Sequence, residues 1–142
     1  MTDNTQPDSL DLDDFEDVIS ADVRIKHPET GAPTNVTITL AGPEHPARKR
    51  ILFTRQRRVR SQLQKTGKLQ LQDPEDDETD ETDLLAACTL GWAGVVAAGQ
   101  PVPYSTGAAL ALYGNPKRRW LREQVKAALD ERELFIKRCA AA

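Results

Sequence analysis

Between residues 73 and 83 the chain reads DPEDDETDETD: eight acids in eleven positions, no base, and no aliphatic or aromatic side chain. Such a composition buries too little apolar surface to offset the entropy of ordering it. The run therefore reads as a solvated acidic linker, residues 73–82. It constrains the rest of the fold, because a chain of 142 residues has room for one compact domain plus tails, and the run divides that chain into a part on each side of it.

Charge alternates in blocks along both units. Residues 1–17 carry seven acids and no base, residues 44–72 nine Lys or Arg against Glu44 alone, and residues 117–138 eight bases and four acids. The net charge of −3 conceals this patterning. Residues 1–20 read as a disordered acidic tail, and residues 139–142 as a flexible one. The N-terminus lacks the basic and apolar regions of a signal peptide, and no apolar run approaches the ~20 residues that span a bilayer. The expectation is a cytoplasmic protein with no membrane association. Cys88 and Cys139, a single pair, are expected there as thiols.

Residues 21–72 form the first unit. Val23 and Ile25 alternate with Arg24 and Lys26, and Val36, Ile38 and Leu40 with Thr37 and Thr39. Period-2 runs on either side of PETGAP predict a β-hairpin, too small to be stable without packing on something else. Gly42-Pro43 ends it. A basic amphipathic helix over 47–65 follows, with Ala47, Ile51, Leu52, Val59 and Leu63 in one stripe and Gly67 at its end.

Residues 83–138 predict a unit of three helices. Thr82 is placed to cap the first, whose apolar residues are Leu84, Leu85, Cys88, Trp92, Val95 and Val96, and which stops at Gly99. Ser105 caps the second, which stops at Gly114. Asn115-Pro116 opens the third, which carries Trp120, Leu121, Val125, Ala128, Leu129, Phe135 and Ile136 on or near one face. The fold class expected is mainly α with some β (α+β): an N-terminal β-hairpin, a basic helix and a small C-terminal helical bundle.

The residues that carry enzyme chemistry are scarce. His27 and His45 are the only histidines, and neither they nor the two cysteines have metal-ligand spacing. The acidic run has neither the sixth-position Gly nor the closing Glu of a calcium loop. No phosphate-cradling glycine motif occurs, and Ser105 lies outside G-x-S-x-G. The expectation is a non-enzymatic protein with no cofactor and no metal. Two sets of residues are candidates for binding instead. Trp92, Val102, Tyr104, Tyr113 and Trp120 include four of the few aromatics and are candidate partner anchors. Arg55, Arg57, Arg58 and Arg60 form a candidate basic face, for an acidic protein partner or for phosphates. A pI of about 5.4 and the lack of interleaved aromatics weigh against nucleic acid.

The order of these parts resembles the tail assembly chaperone family of long-tailed bacteriophages, over about residues 20–136. The stretch Trp92, Gly99, Pro101-Val102, Pro103-Tyr104-Ser105, Ala108, Leu112-Tyr113 and Pro116 is similar to the family's central pattern, and His27-Pro28 with Thr30-Gly31 to its hairpin. The chain departs from the family in having Val95, Val96, Ala97 and Ala98 where relatives place acids. The resemblance implies a non-enzymatic chaperone that transiently binds the tape measure protein and recruits tail tube subunits in the host cytoplasm, then is absent from the mature virion. It also raises a longer frameshifted form, which no protein sequence reveals. Homo-oligomerisation is open. A small nucleic-acid-binding or regulatory protein using the basic helix 47–65, and a minor virion protein in head–tail joining or tail completion, are the alternatives.

Overall fold

Alternation in residues 20–41 produces the sheet on which the rest is packed. The computed structural model describes residues 9–69 and 71–139. Strand β2 (Ser20–Lys26) pairs antiparallel with β3 (Pro33–Ala41), setting Val23 opposite Ile38 and Ala21 opposite Leu40. Ile25, Ile38 and Leu40 are fully enclosed, whereas Asp22, Arg24 and Lys26 face solvent. His27 closes the connecting turn: its Nδ1 accepts from the Glu29 and Thr30 amides, and Gly31 takes the left-handed conformation at φ 72°. Ahead of this pair lies the short strand β1 (Phe15–Asp17).

Helix α1 (Pro46–Thr66) has local start and stop signals. His45 Nδ1 accepts from the Ala47 amide, Pro46 occupies the first turn, and Gly67 at φ 67° returns its N–H to Leu63 O. Yet α1 buries none of its residues. Its stripe is only half covered at Ala47 and Ile51 and open at Leu52, Val59 and Leu63.

The acidic linker expected over 73–82 is instead the body of a helix, α2 (Pro74–Cys88). Composition alone misleads here, because two basic faces clamp the acids. From α1, Arg55 donates to the Asp80 carbonyl and Arg58 pairs with the Asp80 carboxylate at 3.2 Å. From the opposite side, Arg122 meets Glu78 at 3.2 Å and Lys126 meets Glu81 at 3.0 Å. Pro74 and the acids Glu75, Asp76 and Asp77 in the first turn also suit the positive end of the helix dipole. Thr82, expected as a cap, sits mid-helix and bonds back to Glu78 O.

The predicted helix over 83–99 is the second correction. Helix α2 stops at Cys88, and strand β4 (Thr89–Ala93) adds to the sheet beside β3, with Trp92 opposite Ile38. Thr89 and Gly91 are weak helix formers, and the open edge of β3 supplies the hydrogen bonds that an isolated hairpin would lack. The chain then turns through strands β5 (Val96–Ala97) and β6 (Gln100–Pro101). Gly99 is no helix stop: with Ala98 at φ 52° and Gly99 at φ 75° it forms the two-residue hairpin turn that requires positive φ at both positions.

Two further helices complete the layer. Helix α3 (Thr106–Gly114) starts at Ser105, whose Oγ accepts from the Ala108 amide. Asn115 caps a 3₁₀ turn, Pro116–Arg118, that leads into α4 (Arg119–Asp130). So α2, α3 and α4 cover a three-stranded sheet, in place of a hairpin beside three C-terminal helices. The described residues form a mixed α/β fold with four α-helices. None of these helices is long and apolar enough to cross a membrane. The buried core joins Ile25, Ile38 and Leu40 of the sheet to Leu85, Leu112, Tyr113, Val125, Leu129 and Phe135.

The first and last strands of the described residues meet. Strand β7 (Ile136–Arg138) pairs with β1, placing Glu16 opposite Lys137 and the Arg138 guanidinium 6.0 Å from the Phe15 ring. Cys139 N donates to Asp14 O at 2.7 Å. Residues 1–8 and 140–142 of the two expected tails lie outside the described residues. Residues 15–20, assigned to the first tail, are strand and turn instead, because complementary charge and a partner strand order them.

Candidate functional site

Of the five proposed anchors, four are linked: Tyr104 and Tyr113 both bond to one buried threonine, and Trp92 joins Tyr104 to Val102. Trp92 and Tyr104 meet edge to face, their ring centres 5.1 Å apart at 87°. Trp92 Nε1 donates to the Val102 carbonyl at 2.8 Å, fastening the β5–β6 ribbon to β4. Tyr104 OH donates to the Thr89 carbonyl at 2.6 Å. Thr89 Oγ1 donates to Leu85 O at 2.8 Å, so at 2.7 Å from Tyr113 OH it acts as the acceptor. Trp92, Val102 and Tyr104 thus act first as internal fasteners of an arch.

Tyr113 does not reach the surface. It is 0% exposed, and burial pushes its phenol up to about 12, against the partly compensating hydrogen bond to Thr89. It is a core residue with one polar link. Trp120, on α4, is 40% exposed and makes no aromatic contact with the other three. The five do not form one patch. Thr89 carries no sequence signature of its role; only the pairing of β4 with β3 and the packing of α3 make it the junction.

The arginines also divide. Arg55 and Arg58 are engaged by Asp80, as is Gln72, whose Nε2 donates to Asp80 Oδ2 at 2.8 Å. That amide, followed by the Arg58 charge, holds the Asp80 carboxyl below the ordinary carboxylate range, against the opposing effect of partial burial. Arg57 and Arg60 lie on the open side of α1, exposed, and with Arg50 have no ion pair among the described residues. Phe53 stands among them, 46% exposed, and was missed as a candidate. A helical wheel would have found it, at about 100° from Leu52 and between Arg57 and Arg60. Arg48, also unforeseen, is structural: it donates to Ala41 O and Leu129 O and covers the Phe135 ring at 5.5 Å.

Between α1 and the first turns of α2 runs an open groove of about 860 Å³. It is lined by Val59, Leu69, Leu71 and Leu84, by Arg55 and Arg58, and by Asp73, Asp76 and Asp77. Leu71 is 94% exposed and Leu69 66%. On α1 itself Leu52, Phe53, Val59 and Leu63 are also exposed. His27 and His45 both serve as local caps, and among the described residues no group of His, Cys, Asp and Glu could hold a metal. Cys88 and Cys139 are free thiols; burial pushes Cys88 up to about 11.

No protein-family model matches the chain, and neither a curated protein nor a solved structure shows significant similarity to it.

Proposed function

We propose that this protein is a tail assembly chaperone of a long-tailed bacteriophage, a non-enzymatic protein that transiently binds the tape measure protein and recruits tail tube subunits. The observation that carries the reading is α1: a 21-residue helix that buries none of its residues and leaves Leu52, Phe53, Val59 and Leu63 open to water. A face of that length and character suits a long helical client, whose own apolar stripe must be covered until assembly proceeds. The resemblance of Trp92 to Pro116 to the chaperone family supports the same role. On this reading the protein works in the host cytoplasm and leaves before the virion is complete.

The test is a pull-down from cells expressing the neighbouring genes, with bound proteins identified by mass spectrometry at low and moderate salt. Capture of a long helical protein or a tube subunit is expected, together with absence of the chain from purified particles. Its presence in particles would make it a minor virion component. Capture of nucleic acid alone, lost as salt rises, would favour the second reading, which the exposed Arg57 and Arg60 support.

A further inference from the structure

The two borders of the α1 stripe are both basic and differ in what their cations contact. At about 100° per residue, Leu52, Val59 and Leu63 fall within a narrow arc. They are 37%, 42% and 42% exposed. On the border facing the rest of the fold stand Arg48 and Arg55, whose guanidinium groups are taken up by the carbonyls of Ala41, Leu129 and Asp80. On the outer border, in angular order, stand Lys49, Arg60, Phe53, Arg57 and Arg50. Lys49 pairs with Glu44, whereas Arg50, Arg57 and Arg60 have no ion pair among the described residues. Among the described residues, an apolar strip therefore has guanidinium groups without a protein partner along its outer side only, while those on its inner side are held by carbonyls.

We infer that this face receives an amphipathic helix of a partner protein whose apolar stripe is bordered on one side by acidic residues. The inference rests on reading α1 as the client-binding face and adds the chemistry of the client. Three other occupants fit less well. A second copy docking stripe to stripe in antiparallel fashion brings the same arginine border against itself. Nucleic acid would use the arginines but leave the leucines and Val59 in water, beside an α2 helix crowded with acids. The chain's own residues 1–8 include Asp3 and Asp8 but, Met1 aside, no large apolar side chain to fill the strip.

Two synthetic helical peptides test it, with identical leucine stripes and either glutamates or lysines along one border, titrated against the full-length protein by fluorescence anisotropy. The glutamate peptide should bind tighter by about tenfold at low salt, a margin set by a few rim ion pairs, and the margin should shrink as salt screens them. The R57E/R60E variant should reverse the preference, and the lysine peptide should then bind it better. V59Q/L63Q should weaken both peptides by about tenfold or more, with its circular dichroism and melting temperature unchanged because neither side chain is buried. Equal affinity for the two peptides, binding of neither, or a preference that survives R57E/R60E would overturn the inference. So would a dimer in sedimentation that V59Q/L63Q dissolves, or duplex DNA that displaces the glutamate peptide without sensing V59Q/L63Q. Pull-down of a tail protein that docks through a basic or uncharged helix would remove this inference and leave the chaperone role standing.

Discussion

Thr89→Val tests the junction on which the arch depends. The substitution keeps shape and volume, so no cavity forms, but it removes the hydroxyl that donates to Leu85 O and accepts from Tyr113 OH. Tyr113 is 0% exposed, and among the described residues its hydroxyl has no hydrogen-bond partner besides Thr89. T89V therefore strands a buried phenol O–H and a carbonyl near the helix end, each at about 1–3 kcal/mol, for a loss of about 2–6 kcal/mol in total. Y113F removes only one hydroxyl and leaves Thr89 still bonded to Leu85 O, so it should lose about 1 kcal/mol. The double variant has no orphaned phenol, and its loss should fall short of the sum by roughly 1 kcal/mol. Urea unfolding monitored by circular dichroism, with unchanged m-values, measures all three. Losses that add to within about 0.5 kcal/mol would refute the reasoning, because partners in a shared buried hydrogen bond must couple.

Gly94→Ala should prevent native pairing of β4: its φ of 76° is hostile to a side chain, and an added Cβ would lie 2.4 Å from the Asn35 carbonyl oxygen. Urea unfolding should show a loss above about 2 kcal/mol, and a loss under about 1 kcal/mol would contradict that close approach. Stability should also fall as pH rises from about 9 to 12. Cys88 (from 9.0 to about 11) and Tyr113 (from 10.0 to about 12) both keep their protons longer folded than unfolded, so their contribution is whole below the unfolded values and lost through the folded ones. Y113F should flatten the part above pH 10, and an unaltered curve would place the phenol in water. With a thiol reagent at neutral pH, Cys139 should react quickly and Cys88 only on unfolding, which a mass spectrum of the labelled peptides decides.

The β2–β3 hairpin, the α1 boundaries and the caps at Ser105 and Asn115 were legible in the sequence for one reason. Each is set by neighbours within a few residues: a period-2 alternation, a Gly that accepts positive φ, a side-chain oxygen three positions or fewer from an orphan amide. Leu52, Val59 and Leu63 were correctly grouped on one helix face. Periodicity cannot say whether a stripe faces the core or water, so their exposure came only with the fold. Residue type alone marks the candidate anchors, and type does not separate buried Tyr113 from half-exposed Tyr104.

The acidic run, strand β4 and the β1–β7 pair mark what tertiary structure alone decided. Taken by itself, DPEDDETDETD has no apolar face and should stay solvated. It is a helix because Arg55 and Arg58 on one side, and Arg122 and Lys126 on the other, arrive from 22 to 45 residues away and engage Glu78, Asp80 and Glu81. Thr89 to Ala93 became strand because β3 offered an unpaired edge, and Phe15 to Asp17 because β7 came to meet it. Local chemistry wrote the caps, turns and alternation; distant charges and an open sheet edge decided which ambiguous segments became helix and which became strand.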